Sequence, residues 1–280
     1  MIVQLVDERE WLRGFIPSWI RVLAERVDRL DVLTLERGEA DLPDNVFVRS
    51  MGKERGFGRA RELIEFYRGL WHVIRDVDVI LVHMTPRYAW LAAPLARVFR
   101  KPLFLWFNHP RTSSELRLAT LVATHILAAG QGSFPLKTPK LHIMGQGIDI
   151  SEFPAPQPEA APPQIVMIGR LSRIKRQDWL LRAASLLAAR PETGPFRVRL
   201  IGGAVEREPD YPAMLRALAA SLDPAPPVEF VGPLPHREAL AALAQSALSV
   251  GLTPTGSFDK AALEPMVAGK PTIVTNPDLL

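Results

Sequence analysis

Ile165-Val-Met-Ile-Gly-Arg-Leu-Ser-Arg-Ile-Lys175 lies just past the middle of the chain and leads from an apolar run into a helical pattern. The run Ile165–Ile168 is short, uncharged and rich in β-branched residues, which is typical of a strand buried in a parallel sheet. It ends at Gly169, and the residues from Arg176 to Ala189 have the spacing of a helix with one apolar face. A buried strand, a glycine turn and a helix in this order predict a βαβ unit.

The same alternation extends in both directions along the chain. After residue 189, strands are predicted at Val198–Ile201, Val228–Val231, Leu248–Leu252 and Thr272–Val274, and helices at Tyr211–Leu222, Arg237–Ala244 and Ala261–Ala268. Before residue 165, strands are predicted at Ile2–Val6, Val32–Leu35, Phe47–Arg49, Val79–Val82, Leu103–Phe107, Ile126–Ala128 and Leu141–Ile143, and helices at Phe15–Val27, around Leu63–Ile74 and at Tyr88–Phe99. The expected fold class is therefore α/β, with two Rossmann-like parallel-sheet domains that face a cleft.

A proline-rich stretch separates the two halves. Residues 154–163 contain five prolines in ten positions, which a sheet interior or a helix interior does not tolerate. We therefore predict a first domain over residues 1–153, a semi-rigid linker over residues 154–164 and a second domain over residues 165–280.

Composition excludes several classes of protein. The 280 residues are 48% hydrophobic and 23% charged, as in globular proteins, and the absence of cysteine excludes disulfides, thiolate metal sites and a cysteine nucleophile. Neither half has GxGxxG after its first strand, which argues against a nicotinamide or flavin cofactor, and no phosphate-loop signature is present. We expect no cofactor and no bound metal, because Asp76-Val-Asp78 precedes a strand and is better placed to cap or solvate a turn.

Positive charge is concentrated in one region. The net charge of +4 is too small to indicate nucleic acid, but residues 51–150 hold 14 basic and 7 acidic side chains. This excess favours an anionic partner or surface, and the alternative is an arginine-rich helix face that is only solvated. With no signal peptide at Met1 and no apolar run of about 20 residues, the expected location is the cytoplasm, with peripheral association at the inner membrane surface as its extension.

Two cations follow the strand that ends at Gly169. Arg170 and Lys175 would lie at the carboxyl edge of the sheet, where open α/β sheets bind ligands. A guanidinium fork and an ammonium point charge together suit a diphosphate. The alternative is a solvated loop with basic residues at a helix end.

A second segment favours the diphosphate. Residues 254–272 follow the apolar strand Leu248–Leu252 with a polar, glycine-containing turn and then a helix, so that residues 256–260 could form an anion site from backbone N–H groups. Lys260, at the end of this turn, would be a further ligand of the diphosphate. Glu264, one turn into the helix, could accept hydrogen bonds from both hydroxyls of a ribose.

These residues give the chain its resemblance to the retaining glycosyltransferases of family 4 (glycosyltransferase group 1), which have the GT-B fold. The resemblance rests on four blocks in the family's order: Gly145-Gln-Gly-Ile-Asp149, Gly169-Arg-Leu-Ser-Arg-Ile-Lys175, Phe230-Val-Gly-Pro-Leu234 and Gly256-Ser-Phe-Asp-Lys-Ala-Ala-Leu-Glu264. It extends over nearly the whole chain. It implies that the second domain continues beyond residue 280.

The resemblance also implies roles for individual residues. Arg170 and Lys175 would bind the diphosphate of the sugar donor, the backbone amides of Ser257 and Phe258 would cradle the phosphates, and Glu264 would bind the ribose. In the first domain, His109 would contact the transferred sugar, and Gly14 would belong to the acceptor-side loop.

One position departs from the family. Gly256 stands where the family has its first glutamate, so a carboxylate near the transferred sugar is absent, and Asp259 or Lys260 is the nearby candidate to replace it.

The implied reaction transfers a hexose from a UDP- or GDP-sugar to a glycan or lipid-linked acceptor, with retention and without a metal. A nucleotide-sugar-binding protein without activity and a GT-B epimerase remain the alternatives. The sequence does not identify the sugar, the base or the acceptor.

Overall fold

The computed structural model describes residues 1–155, 157–254, 260–276 and 279. Contacts between Cα atoms divide these residues into two compact units, one comprising residues 1–146 and the other the described residues from 147 onward. The division therefore precedes the proline-rich stretch, whose described residues belong to the second unit. There the N–H of Ala160 donates a hydrogen bond to the carbonyl oxygen of Gln245 (3.0 Å).

The first unit has a seven-stranded parallel sheet in the order β3-β2-β1-β4-β5-β6-β7. Its elements are β1 (Ile2–Val6), α1 (Ile16–Ala24), β2 (Leu30–Arg37), β3 (Val46–Ser50), α2 (Arg59–Val73), β4 (Ile80–His83), α3 (Pro86–Val98), β5 (Leu103–Trp106), α4 (Ser114–Val122), β6 (His125–Ala128) and β7 (Leu141–Ile143).

Helices cover both faces of this sheet. Ile16 and Ile20 of α1 are buried in one apolar cluster with residues of β1 and β2. The larger cluster packs α2, α3 and α4 against the strands, with Phe66 and Leu116 fully buried. The sequence patterns did not predict α4, whose N-terminus is capped by the Ser113 hydroxyl oxygen accepting from the N–H of Leu116 (3.1 Å).

The second unit has a five-stranded parallel sheet in the order β10-β9-β8-β11-β12. Its elements are β8 (Gln164–Ile168), α5 (Gln177–Ala188), β9 (Arg197–Ile201), α6 (Tyr211–Ser221), β10 (Val228–Gly232), α7 (His236–Ala244), β11 (Leu248–Gly251), α8 (Lys260–Val267) and β12 (Thr272–Val274). Leu181 of α5 and Leu215 of α6 are buried on one face, whereas Ala239 and Ala242 of α7 pack on the other. The α/β fold class predicted from the sequence is confirmed.

The order of the strands decides where the second unit can bind a ligand. β8 is the first strand of this sheet, and the chain adds β9 and β10 on one side of it and β11 and β12 on the other. Open α/β sheets bind ligands at the carboxyl ends of the two strands where the order reverses, here β8 and β11. Across the described parts of both units, no helix has the length and apolar character to cross a bilayer.

Candidate nucleotide-sugar site

The turn after β8 is held close to the end of β9. The N–H of Gly169 donates to the carbonyl oxygen of Ile201 (2.9 Å), and the N–H of Leu171 donates to that of Gly203 (2.8 Å). Gly169 and Gly202 have φ angles of 143° and 146°, which side-chain-bearing residues rarely adopt. The glycine at the start of the Gly-Arg-Leu-Ser block is therefore required by the turn itself.

The two predicted diphosphate-binding cations both belong to this turn, but their environments differ. Arg170 is exposed, and its carbonyl oxygen accepts a hydrogen bond from the side-chain amide of Gln177 (2.8 Å). Lys175 ends a short 3₁₀ turn and is only 8% exposed. Its Cε atom lies 3.6 Å from the position that a Cβ atom at Gly169 would take, so the lysine side chain lies over that glycine.

Two further cations surround the same turn and were not assigned a role from the sequence. The N–H of Arg173 donates to Glu208 (2.7 Å), and its guanidinium lies 5.4 Å from the ring of Tyr211. Arg176 lies over the ring of Trp179 at 4.4 Å. These contacts hold Arg173 and Arg176 against α5 and α6, whereas Arg170, at the start of the turn, is exposed.

Tyr211 fixes α6 to α5 beneath the turn. Its hydroxyl donates to the carboxylate of Asp178 (3.1 Å). Burial, and then the negative charge of Asp178, raise the pKa of Tyr211 to about 12. The phenol therefore remains a hydrogen-bond donor throughout the physiological pH range.

Glu264 lies on α8, the helix that follows β11, and is only 7% exposed. Its Oε1 atom is 3.0 Å from Nε2 of His236, whose Nδ1 atom is 3.2 Å from Oε2 of Glu152. One imidazole therefore joins two carboxylates from distant parts of the second unit. The sequence analysis missed His236, because the glycine turn before α7 was its only local signal and the two glutamates meet it only through the fold.

Lys260, predicted to bind the diphosphate, is the first residue of α8. It precedes Glu264 by four residues, so both side chains lie on the same face of the helix. Burial lowers the pKa of Lys260, and the nearby carboxylates of Glu264 and Glu152 only partly offset that effect. The predicted residues Ser257, Phe258 and Asp259, together with Gly256, lie outside the described residues.

The two residues predicted in the first unit follow β5 and β1. His109 is exposed; its N–H donates to the carbonyl oxygen of Ser133 (2.8 Å), and its Nδ1 atom accepts from the N–H of Arg111 (3.0 Å). A neutral His109 therefore carries its proton on Nε2. Gly14 closes a tight loop in which a Cβ atom would lie 2.5 Å from the carbonyl oxygen of Glu10.

A cavity of about 560 Å³ lies within the first unit, between the ends of β2 and β3 and the helix α2. It is lined by Arg37, Arg49, Ser50, Glu54, Arg55, Glu65, Arg68, Gly69 and His72. Six of these nine residues lie in the basic region 51–150 that the sequence analysis had noted. Arg49 went unnoticed because it was assigned to a strand, and Arg37 because it lay beyond the predicted strand Val32–Leu35.

The arginines of this cavity outnumber its carboxylates. Glu54 pairs with Arg55 (3.4 Å), and Glu65 pairs with Arg68 (3.8 Å). Among the described residues, Arg37 and Arg49 have no acidic side chain within ion-pair distance, and the buried Nε atom of Arg49 has no hydrogen-bond partner. Such an arrangement suits a bound anion.

Comparison with known proteins finds a family match within the second unit. Residues 162–278 match the family model described as "Glycosyl transferases group 1". This part of the chain is therefore similar to the group 1 glycosyltransferases. The strand, cations and Glu264 described above all lie within it.

A segment of similar length, about 112 residues, also matches curated proteins. A D-inositol 3-phosphate glycosyltransferase of Corynebacterium urealyticum is 35% identical over 112 residues, which is 40% of this chain and 26% of that protein. The enzyme of the same name from Rhodococcus opacus is 34% identical over 113 residues, 40% of this chain and 25% of that protein. The matched segment thus spans about a quarter of the length of these relatives.

Solved structures extend the likeness to both units. HepE of Anabaena, solved with UDP and glucose, has a TM-score of 0.68 and 18% identity, covering 98% of this chain and 80% of that one. Sucrose-phosphate synthase of Thermosynechococcus elongatus has a TM-score of 0.64 and 14% identity, with the same coverage of 98% and 80%. The fold of the chain is that of the GT-B glycosyltransferases.

Proposed function

We propose that the protein transfers a hexose from a nucleoside-diphosphate sugar to an acceptor hydroxyl, with retention of configuration at the anomeric carbon. The observation that carries this proposal is the combination of Arg170, Lys175 and Glu264 on the segments that follow β8 and β11, the strands where the order of the second sheet reverses. HepE was solved with UDP and with UDP-glucose, which supports a UDP-sugar as the donor, with a GDP-sugar as the alternative.

The reaction develops negative charge on the departing diphosphate. The acceptor oxygen bonds to the anomeric carbon as the bond from that carbon to the phosphate oxygen breaks, and the hydroxyl proton passes to the departing phosphate oxygen. Arg170 would bind the diphosphate through two parallel hydrogen bonds and Lys175 as a point charge, with Lys260 and the amides of Ser257 and Phe258 as further ligands. The family resemblance implies that these groups act without a metal and without a cofactor.

The remaining predicted residues receive roles at the sugar and at the acceptor. We assign His109 a contact with the transferred sugar through Nε2, because Nδ1 accepts from the N–H of Arg111. Asp259 is assigned the role of the carboxylate that Gly256 does not supply. Gly14 would let the acceptor-side loop after β1 approach the substrate through its backbone.

The cavity of the first unit supports an anionic acceptor. The guanidinium groups of Arg37 and Arg49 form no ion pair with the described residues, and guanidinium groups recognise phosphate and carboxylate by planar pairs of hydrogen bonds. The curated relatives are named for a phosphorylated inositol. A phosphorylated sugar, glycan or lipid-linked acceptor therefore fits the proposal. A lipid-linked acceptor also accords with the predicted location in the cytoplasm and at the inner membrane surface.

The decisive experiment has two steps. The full chain is screened by thermal shift against UDP-, GDP- and ADP-sugars, because a ligand that binds only the folded state raises Tm. The sugar nucleotide that binds is then offered with phosphorylated and neutral acceptors, and nucleoside diphosphate release is measured together with the configuration of the product. The proposal fails if no sugar nucleotide raises Tm, or if the product has the inverted configuration.

Gly256 favours a second candidate, a nucleotide-sugar-binding protein that does not transfer sugar, because a glutamate expected at this position is absent. Donor binding with no diphosphate release in the presence of any acceptor would support this candidate. Conversion of the donor without an acceptor would instead indicate an epimerase.

A further inference from the structure

His236 connects three separate segments of the second unit. It is the first residue of α7 and contacts Glu152, in the 3₁₀ turn Ile150–Glu152, and Glu264, in the second turn of α8. The side chains are largely buried, with exposed fractions of 22% for His236, 14% for Glu152 and 9% for Glu264. An imidazole with a carboxylate at each ring nitrogen cannot rotate without breaking one of these contacts.

The protonation state of His236 follows from its two partners. Burial of the ring favours the neutral form, but the hydrogen bonds and charges of Glu152 and Glu264 outweigh burial and raise the pKa of His236 to about 9. At neutral pH the imidazolium therefore donates from Nδ1 to one glutamate and from Nε2 to the other. A neutral imidazole could donate to only one of them. Among the described residues, Lys260 also interacts electrostatically with the same two carboxylates.

The contact occupies one oxygen of the Glu264 carboxylate. Oε1 lies 3.0 Å from Nε2 of His236, which restrains the orientation of the carboxylate, and among the described residues no hydrogen bond occupies Oε2, which can accept from a ligand. A glutamate side chain on a helix has several rotamers, and binding a ribose diol requires one of them. A neighbour that holds the glutamate in this rotamer before the nucleotide binds reduces the side-chain entropy that is lost on binding.

We infer that His236 is a positioning residue, which holds the carboxylate of Glu264 in the orientation that binds the ribose hydroxyls of the nucleotide. This inference rests on the proposed function, because it takes Glu264 as the ribose ligand. His236 itself touches no substrate in this scheme. Its second bond, to Glu152, fixes the imidazole in turn.

A pair of conservative substitutions separates this role from a structural one. The amide nitrogen of glutamine can take the position of Nε2, and that of asparagine the position of Nδ1. His236→Gln should therefore keep the hydrogen bond to Glu264, whereas His236→Asn should keep only the one to Glu152. Both variants lose the ring and its charge, so they share any general packing defect.

The measurement is the affinity of the full chain for UDP and for 2′,3′-dideoxyuridine diphosphate, which lacks both ribose hydroxyls. Wild-type protein should bind UDP about tenfold or more tightly than the dideoxy compound, and Glu264→Ala should abolish this preference. In His236→Asn the ratio of the two affinities should also fall to nearly one, whereas His236→Gln should retain most of the preference for UDP. If His236 had only a structural role, the His236→Asn variant would bind both nucleotides more weakly by the same factor. The ratio of the two affinities would then be unchanged.

The outcomes separate the inference from the proposed function. If wild-type protein binds neither UDP nor GDP, the proposed function fails and the inference fails with it. If GDP binds in place of UDP, the same comparison uses GDP and its dideoxy form. If Glu264→Ala abolishes the preference but His236→Asn keeps it, the proposed ribose contact stands and the inference about His236 is wrong.

A measurement on the wild-type protein covers the case in which His236→Asn does not fold. In protein labelled with ¹⁵N-histidine, the six histidines give separate ring signals, and His236→Gln identifies the one from His236. Saturating UDP should shift the Nε2 signal of His236 more than the dideoxy compound does. Equal shifts with both nucleotides, or no shift with either, would overturn the inference.

Discussion

The carbonyl oxygen of Gly169 occupies the space that a Cβ atom at Gly202 would need. The two glycines directly follow the neighbouring strands β8 and β9, and both have φ angles near 145°, at 143° and 146°. Any side chain at Gly202 would therefore strain its own backbone and displace the Gly169 carbonyl. Because Arg170 follows directly, the position of a predicted diphosphate ligand depends on the absence of a side chain in the adjacent strand.

Gly202→Ala should lower the free energy of unfolding by about 3 kcal/mol, from the combined cost of the φ angle and the displaced carbonyl. Gly269→Ala is the matched control, because Gly269 also has a positive φ of 69° but no atom lies within 4 Å of a Cβ atom there. The control should lose only about 1 kcal/mol. Urea denaturation of both variants tests the difference, and equal losses would contradict the close approach.

Arg170→Ala should weaken UDP binding about 10- to 100-fold without lowering Tm, because the side chain is exposed. Lys175→Met should also weaken binding, since it removes the charge and keeps the apolar stem that lies over Gly169. Calorimetric titration with UDP measures both effects. Arg182→Ala, an exposed arginine on α5, is the control, and a similar loss of affinity in that variant would show that only net charge matters.

Most of the fold could be predicted from the sequence, because buried parallel strands are short apolar runs that glycine and proline interrupt. β1, β7 and β12 have the bounds that their apolar runs predict, and α5 to α8 lie within one or two residues of the predicted helices. The helix α4 was missed because it has only nine residues and its first turn, Ser114-Glu-Leu, follows a polar stretch that resembles a loop. Its capping serine was the available signal.

The site could be predicted only in part, for a physical reason. Arg170 and Lys175 are close in sequence and share a turn, so a local motif identifies them. The contact of His236 with Glu152 and Glu264 joins residues on three separate elements, and no local pattern encodes it. The same holds for Arg37 and Arg49, which approach α2 only when β2 and β3 pair in the sheet.

The cavity of the first unit gives a prediction about the acceptor. Arg49→Met should raise the KM for a phosphorylated acceptor about tenfold and leave the Kd for UDP unchanged, because Arg49 lies in the first unit and has no acidic partner among the described residues. Steady-state kinetics with phosphorylated and dephosphorylated acceptor measure this effect. Arg117→Met, an exposed arginine on α4, is the control. An unchanged KM for Arg49→Met would exclude the cavity as the acceptor site.

The loop after β5 offers a test of His109 that preserves its local structure. The side-chain oxygen of asparagine can replace Nδ1 as the acceptor for the N–H of Arg111, so His109→Asn should keep the loop and lose only Nε2. If Nε2 contacts the transferred sugar, turnover should fall about 10- to 100-fold while the Kd for UDP, which carries no sugar, stays the same. Turnover at the wild-type rate would remove His109 from the mechanism.

The charge on His236 should make the stability of the second unit depend on pH in a particular direction. Its pKa is raised from 6.5 in the unfolded chain to about 9 in the folded protein, so the folded state binds the proton more tightly. This contribution to stability is complete below pH 6.5 and is lost as the pH rises through 9. Wild-type Tm should therefore fall between pH 6.5 and 9 by more than the Tm of His236→Gln, which cannot titrate at this position. Parallel curves for the two proteins would show that His236 is already neutral near pH 7, and that the two glutamates are held by other means.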